Sequence, residues 1–216
     1  GSVVAIDPSS GELLAIASAP SFDPNILSGR DYSKNYRNLQ LDTLKPIYNR
    51  ALTATYPPGS MFKLIQALIG LEENVVSKKD QIYVDLSRIG DLAPAGIYDL
   101  NKAIVNSSNN YFHMLFRKLI NQKRDNNTFI DSRIGLDRWS EYVKKFGLGS
   151  DLDFDISNIS SGFVPSSEYY DGFYGKGRWK FSNIYSLSIG QGELLVTPIQ
   201  MANFASIIAN RGYYYN

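Results

Sequence analysis

Residues 56–71 carry the sequence YPPGSMFKLIQALIGL, which contains the most apolar helical pattern in the chain. After the Pro-Pro-Gly chain break, the only polar side chains of this stretch are Ser60, Lys63 and Gln66. A spacing of three residues places them on one face of a helix that is otherwise apolar. We therefore expect a core helix from Ser60 to about Asn74, with a serine at its N-terminus and a lysine one turn later.

A serine and a lysine in this arrangement indicate acyl-transfer chemistry. Burial removes water from a lysine ammonium and lowers its pKa, so the amine can act as a base near neutral pH. The N–H groups at a helix N-terminus favour the negative charge that develops when a hydroxyl attacks a carbonyl. The pattern predicts Ser60 as nucleophile and Lys63 as base. The alternative is that Ser60, Lys63 and Gln66 form the solvated stripe of a half-buried helix.

The composition excludes several classes of function. The chain has 216 residues, 44% hydrophobic and 20% charged, as expected for a soluble globular protein with a sizeable core. The net charge of +1 gives no electrostatic reason to expect nucleic-acid binding. The absence of cysteine excludes disulfides, thiolate catalysis and cysteine-ligated metals. No apolar run has the length of a membrane-spanning helix, and no signal peptide is visible.

Capping and periodicity predict most of the secondary structure. The start of the chain predicts a β-hairpin with its turn at residues 7–11, and the last helix combines a Thr197 cap, Pro198 and Gln200 with a stop at Gly212. Between them we expect a short helix from Asp99 to about Val105, a second one to about Ile120 and an amphipathic one ending at Gly147. The remaining segments are expected to be irregular, loop-like or extended: residues 20–50, 77–98 and 148–192.

A second polar cluster interrupts the helical middle of the chain. Residues 106–110 have the sequence NSSNN, a break between two helices that offers hydroxyl and carboxamide groups. An acylating serine needs a proton path to the leaving group and donors for the substrate, and Ser-x-Asn can provide both. The pattern fits in two registers, Ser107/Asn109 and Ser108/Asn110, and the residues alone leave both open.

Taken together, these motifs resemble those of the class B penicillin-binding proteins. The Ser60-x-x-Lys63 tetrad follows Tyr-Pro-Pro-Gly, and Ser107-x-Asn109 is followed by Tyr-Phe. The resemblance is strongest to the elongation-type subfamily of penicillin-binding protein 2. It prefers the Ser107/Asn109 register, because the Tyr-Phe pair begins two residues after the asparagine. Further matching stretches occur in the family's order at residues 4–12, 20–25, 49–51, 146–147 and 190–202.

The resemblance implies a fold and an activity. The fold would be α+β, an α/β/α sandwich of the penicillin-recognising serine transferase and β-lactamase type. Residues 1–216 would form part of a transpeptidase domain, with its helical part at about 59–147. The activity would be D,D-transpeptidation of peptidoglycan stem peptides ending in D-Ala-D-Ala, with acylation by β-lactam antibiotics, in cell wall elongation and cell shape.

The same resemblance implies a role for each site residue. Ser60 would attack the penultimate D-alanine carbonyl, and its backbone N–H would form half of the oxyanion hole. Lys63 would take the serine proton, Ser107 would relay a proton to the departing amine, and Asn109 would bind the substrate amide. No cofactor is implied. Residues 77–98, where some relatives carry a zinc cluster, have neither His nor Cys, so we expect no metal.

Other implications concern the whole protein. The family's third motif, Lys-Thr-Gly or Lys-Ser-Gly, does not occur in the sequence, so we expect further sheet strands beyond residue 216 and slow or absent acylation of this chain alone. The resemblance also implies an extracytoplasmic, periplasmic location, an N-terminal membrane anchor outside these residues and a glycosyltransferase partner of the elongation machinery.

Competing hypotheses remain at this point. A serine β-lactamase or D,D-carboxypeptidase shares Ser-x-x-Lys and the fold, and a non-enzymatic β-lactam sensor or an inactive assembly partner would also keep the domain. A Ser-His-Asp mechanism would have to use His113, the only histidine. His113 lies opposite the apolar side of its helix, which predicts an exposed side chain without a catalytic role.

Overall fold

The computed structural model describes residues 1–152 and 154–215, so Asp153 and Asn216 lie outside the described residues. Short 3-10 helices occupy Pro24–Leu27, Gly59–Phe62 and Tyr185–Ile189. The described part is α+β, mostly helical with two small sheets. Its strands are β1 (Ser2–Ile6), β2 (Leu13–Ser18), β3 (Ile82–Val84) and β4 (Gly96–Tyr98), and its α-helices are α1 (Tyr32–Leu41), α2 (Lys63–Glu72), α3 (Leu100–Val105), α4 (Asn109–Ile120), α5 (Thr128–Lys145), α6 (Ser167–Tyr174), α7 (Phe181–Ile184) and α8 (Pro198–Ala209).

The chain forms two compact units. The first contains residues 1–56, 150–162 and 196–216, and the second contains residues 57–149 and 163–195. The predicted hairpin is confirmed in the first unit, where β1 and β2 pair antiparallel from Ser2 opposite Ser18 to Ile6 opposite Leu13. The Gly11 amide donates to the Asp7 carbonyl at 2.8 Å, and Gly11 has a φ of +81°, which glycine adopts without steric cost.

Helix α8 packs against β1 and carries the predicted capping box. The Thr197 side chain accepts from the Gln200 amide, while Gln200 Oε1 accepts from the Thr197 amide at 3.0 Å. Gln200 is fully buried, and its Nε2 donates to the carbonyls of Ser150 at 3.1 Å and Ser161 at 2.8 Å. One capping residue thus also satisfies the backbone of a neighbouring segment, which holds residues 150–162 in the first unit.

The interpretation of residues 20–50 as irregular is wrong. They contain the 3-10 helix Pro24–Leu27 and the ten-residue helix α1. Helix α1 buries no residue, and its N-terminal residue Asp31 makes no side-chain cap. Because this helix is mainly polar, it lacks the apolar run that made α2 recognisable in the sequence, which explains the error.

The second unit has its core where α2, α4 and α5 meet. The apolar helix predicted from Ser60 to about Asn74 is confirmed as the 3-10 turn Gly59–Phe62 continued by α2. Trp139 of α5 lies edge-on to Phe62 and to Phe116, with ring centroids 5.7 Å and 5.4 Å apart. Its indole N–H donates to Gln66 Oε1 at 2.9 Å, and Gln66 Nε2 donates to the Leu187 carbonyl at 3.2 Å. Gln66 is therefore buried, and its side chain joins α2 to α5 and to the 3-10 helix Tyr185–Ile189 by hydrogen bonds. It is not part of a solvated stripe.

Two further segments differ from expectation. Residues 77–98 are not a continuous loop, because β3 and β4 pair antiparallel with Ile82 opposite Tyr98. Residues 148–192 are mostly looped or extended, as predicted, but they also hold α6, α7 and a 3-10 helix, which were not predicted. Strands of three residues and helices of four to eight are too short for periodicity to identify them.

The helices predicted after Asp99, to Ile120 and before Gly147 are confirmed as α3, α4 and α5. Within the described ranges, no helix is both long enough and apolar enough to cross a membrane.

Candidate active site

Ser60 lies in the 3-10 turn Gly59–Phe62 that leads directly into α2, and its side chain is exposed. The turn is anchored on both sides of the serine. Phe62 is fully buried, and the Gly59 amide donates to the Gly190 carbonyl at 2.9 Å. The Ser60 hydroxyl therefore occupies a fixed position at the start of a core helix while remaining open to a substrate.

Lys63 is the first residue of α2, and it is only 2% exposed. Its ammonium donates to the carbonyl oxygen of Ser107 at 2.5 Å, to Ser107 Oγ at 3.0 Å and to Asn109 Oδ1 at 2.6 Å. These three acceptors satisfy the three N–H bonds of an ammonium, which explains how a lysine is tolerated in this position. Lys63 is thus hydrogen-bonded to both residues of the Ser107-x-Asn109 register.

Burial makes Lys63 easier to deprotonate than an ordinary lysine. Desolvation lowers its pKa to about 8, while the negative charge of Asp91 acts in the opposite direction and raises it. A lysine with a pKa near 8 is partly neutral at neutral pH, so it can accept a proton. Lys63 follows Ser60 by three residues, a spacing that places two side chains on the same face of a helix.

Ser107 has a backbone conformation that is unusual for its type. It lies between α3 and α4 with a φ of +50°, in the left-handed region. Its amide donates to the Ile104 carbonyl at 3.0 Å, which closes the end of α3. In this conformation both its carbonyl oxygen and its hydroxyl lie within hydrogen-bonding distance of the Lys63 ammonium. Because strained residues concentrate at functional sites, this geometry favours a role for Ser107.

Asn109 connects Lys63 to the loop before β4. Its Oδ1 accepts from the Lys63 ammonium, and its Nδ2 donates to the Gly90 carbonyl at 2.7 Å. It is the first residue of α4 and is partly exposed. Binding of a substrate amide by Asn109 stays a prediction, and the structure shows a carboxamide whose two ends already hold the site together.

The residues of the other register, Ser108 and Asn110, are fully buried. The Ser108 hydroxyl accepts from the Tyr111 amide at 3.2 Å as the cap of α4 and donates to Asp91 Oδ2 at 2.9 Å. Asn110 exchanges side-chain hydrogen bonds with the backbone of Ile89, at 3.2 Å and 2.9 Å. Both side chains fasten the loop before β4 onto α4, so neither faces Lys63.

Asp91 also belongs to the site, although the sequence did not indicate it. Its carboxylate accepts from the amides of Asn110 at 2.8 Å and Ala93 at 3.1 Å, besides the Ser108 hydroxyl. Burial alone would raise the pKa of Asp91, but these hydrogen bonds outweigh it and lower the pKa, so the carboxylate stays ionised. Asp91 thus caps the start of α4 and sets part of the potential at Lys63. An acidic residue in a loop carries no local signal that could have identified this role.

Gly190 packs against the 3-10 turn Gly59–Phe62 that carries Ser60. A Cβ at this position would lie 2.3 Å from the Gly59 carbonyl oxygen and 2.7 Å from Phe62 Cβ, and its φ of +70° is in the left-handed region. Only glycine fits both constraints. The loop at residues 190–192 therefore contacts the turn that carries Ser60.

His113 is buried and not exposed as expected, with only 8% of its surface accessible. The ring of Phe181 covers it, with centroids 5.1 Å apart. The prediction failed because a short helix that the sequence did not reveal, α7, packs against this face of α4.

Within residues 1–152 and 154–215, no group of three His, Asp or Glu side chains could hold a metal ion.

Together, the fold and this site define the class of protein. The chain belongs to the penicillin binding protein transpeptidase domain family, whose model matches residues 1–216. Among curated proteins it is similar to the peptidoglycan D,D-transpeptidase MrdA of Acinetobacter baumannii, with 32% identity over 226 residues. That match covers 98% of this chain and 31% of the relative, so the chain spans about a third of the relative's length.

Solved structures give the same result. Penicillin-binding protein 2 of Pseudomonas aeruginosa, in complex with WCK 5153, is 32% identical with a TM-score of 0.81, covering 100% of this chain and 48% of that one. Penicillin-binding protein A of Mycobacterium tuberculosis, as the imipenem acyl-enzyme complex, is 27% identical with a TM-score of 0.72, covering 99% and 48%. The resemblance stated from the motifs is confirmed.

Proposed function

We propose that this chain supplies the nucleophile, the base and the proton relay of a peptidoglycan D,D-transpeptidase. The observation that carries the proposal is the position of Lys63. It is nearly buried, has a pKa lowered to about 8, follows Ser60 by three residues and is hydrogen-bonded to Ser107 and Asn109.

The proposed acylation step uses these groups in order. The Ser60 oxygen forms a bond to the penultimate D-alanine carbonyl while its proton passes to neutral Lys63. The amide C–N bond then breaks, and the proton moves through the Ser107 hydroxyl, 3.0 Å from Lys63, to the departing D-alanine amine. The Ser60 backbone N–H, in the first turn of its helix, supplies one oxyanion donor, and Asn109 binds the substrate amide.

The second step transfers the acyl group to another stem peptide. Its amine attacks the ester carbonyl, the C–O bond to Ser60 breaks, and the proton from the amine returns to the serine through the same groups. β-Lactams would enter at the first step, as imipenem does in the acyl-enzyme of the mycobacterial relative. The opened lactam then remains bound to Ser60 as an ester.

The finer features of the fold and of the whole protein belong to this proposal. The described helices and hairpins would form part of an α/β/α sandwich, with the helical part at about residues 59–147. The protein would act at the periplasmic face of the inner membrane in cell wall elongation, beside a glycosyltransferase that supplies new strands. The similarity to MrdA and to penicillin-binding protein 2 supports this placement.

Penicillin labelling tests the proposal. In the full-length protein, Ser60→Ala should abolish the mass increase caused by benzylpenicillin. Ser33→Ala, at an exposed position of α1, is the control and should leave the mass increase unchanged. Undiminished labelling of Ser60→Ala would refute the nucleophile assignment. The 216 residues alone contain no Lys-Thr-Gly or Lys-Ser-Gly, so they should acylate slowly or not at all.

The alternative functions differ in what happens after acylation. A β-lactamase or D,D-carboxypeptidase would release hydrolysed product repeatedly, whereas a transpeptidase or a β-lactam sensor stays acylated by penicillin. A sensor would in turn fail to join two stem peptides. Intact-mass measurement over several hours, followed by an assay with an acceptor amine, separates the three.

A further inference from the structure

A cavity of about 520 Å³ lies in the second unit, and none of the four candidate catalytic and substrate-binding residues lines it. Its cationic side chains come from three separate elements: Arg88 from the loop between β3 and β4, Arg117 from α4, and Lys180 from the residue before α7. None of the lining residues is Asp or Glu. A volume of this size is typical of sites for small molecules.

None of the three cations forms a salt bridge with a carboxylate among the described residues. The ion pairs of this part of the chain involve Arg124, Arg133 and Arg138 instead. Asp85, which lies close enough to Arg88 to feel its charge, accepts from the amide of Ser87 at 3.1 Å and from its hydroxyl at 2.6 Å. Three cationic side chains line one cavity that has no carboxylate in its wall, so the local potential favours an anion there.

His113 provides a second, independent observation. It lines the same cavity, is 8% exposed, and its Nδ1 is buried with no hydrogen-bond partner among the described residues. Burial lowers the pKa of His113, and the charges of Arg88 and Arg117 lower it further. The charges of both guanidinium groups therefore reach the His113 ring, whose Nδ1 has no hydrogen-bond partner among the described residues.

The remaining wall combines aromatic rings with neutral donors. The rings of Phe181 and Tyr185 lie 5.1 Å and 5.9 Å from that of His113, and Thr128 and Ser182 bring hydroxyl groups. Arginine matches phosphate with two parallel N–H donors, and hydroxyls add neutral hydrogen bonds. We propose that this cavity is a binding site for a small polyanion that carries phosphate groups, separate from the acylation site.

Inorganic pyrophosphate is the probe that we would use on the 216-residue chain. Because the sequence has a single histidine, its Hε1 resonance reports on this cavity without assignment. We expect saturable movement of this resonance and a raised pKa of His113, since a bound polyanion offsets the two arginine charges. Absence of a saturable change at millimolar pyrophosphate would overturn the proposal.

Matched variants locate the site. Arg117→Gln and Arg88→Gln should each weaken binding roughly tenfold, and Lys180→Gln should weaken it less. Arg37→Gln, an exposed arginine on α1 in the other unit, should have no effect. All four side chains are exposed, so the variants should fold. Equal binding by all four variants, or binding of citrate as tight as that of pyrophosphate at equal ionic strength, would overturn the assignment to phosphate.

Discussion

The ammonium of Lys63 lies 2.6 Å from Oδ1 of Asn109, although the two residues are 46 positions apart in the chain. This contact joins the first residue of α2 to the first residue of α4. The position of the Lys63 ammonium at the start of one helix is therefore fixed by a carboxamide at the start of another, and it depends on how the two helices pack.

The rate of β-lactam acylation should depend on pH through Lys63. Its pKa in the folded protein is about 8, below the ordinary lysine value, so Lys63 is mainly protonated below that pH and cannot accept the serine proton. We expect the rate to rise about tenfold per pH unit below pH 8 and to level off above it. Stopped-flow or mass-spectrometric rates across this range test it, and a flat profile would contradict the role of Lys63 as base.

The same shift predicts how stability changes with pH. Between the folded pKa near 8 and the higher value of an unfolded lysine, the unfolded chain binds more protons at this site than the folded chain. The contribution of Lys63 to the free energy of unfolding should therefore increase as the pH rises through this window. Thermal melts of the wild type and of Lys63→Gln, compared from neutral to alkaline pH, would show whether the pH-dependent difference has this sign.

Asp91→Asn should change two properties at once. Loss of the charged acceptor for Ser108 and Asn110 should lower the free energy of unfolding by about 1–3 kcal/mol. Because the Asp91 charge raises the pKa of Lys63, the midpoint of the acylation profile should move to lower pH. Asp85→Asn in the same loop, whose carboxylate bonds Ser87, is the matched control and should leave that midpoint in place. A changed melting temperature with an unchanged midpoint would assign Asp91 a purely structural role.

Ser107→Ala should change the rate of acylation, whereas Ser108→Ala should change the stability of the fold. Ser107 is exposed and its hydroxyl contacts Lys63, so its loss should slow acylation by about 10²–10⁴-fold with little change in stability. Ser108 caps α4 in the core, so its loss should cost about 1–2 kcal/mol of stability. Acylation rates and melting temperatures of both variants separate the two registers. A larger loss of acylation in correctly folded Ser108→Ala would reverse the assignment.

Gly190→Ala should disturb the nucleophile turn. The added Cβ would collide with the Gly59 carbonyl and require an unfavourable φ, so we expect a loss of about 1–3 kcal/mol and slower acylation. Gly172→Ala is the control, since a Cβ there meets no atom within 4 Å and the residue lies inside α6. That variant should be slightly stabilised, because alanine favours a helix. Equal melting temperatures for both variants would show that Gly190 is not constrained.

Local patterns in the sequence determined much of this protein. The capping box of α8, the hairpin turn at Asp7 to Gly11 and the start of α3 at Asp99 depend on contacts between residues no more than a few positions apart. The apolar run of α2 likewise favoured a buried Lys63, as the structure has it. These features could be predicted because the interactions that stabilise them lie within one turn of the chain.

Only the tertiary structure decided which side chains meet Lys63. The residues alone left two Ser-x-Asn registers open, although the family resemblance preferred Ser107/Asn109. In the structure, the positive φ of Ser107 and the burial of Ser108 against Asp91 leave Ser107 and Asn109 facing the lysine. The burial of His113 under Phe181 and the fit of Gly190 beneath Gly59 were equally invisible in the sequence. Each depends on contacts between elements far apart in the chain, whose positions follow from packing of the whole core and not from local preference.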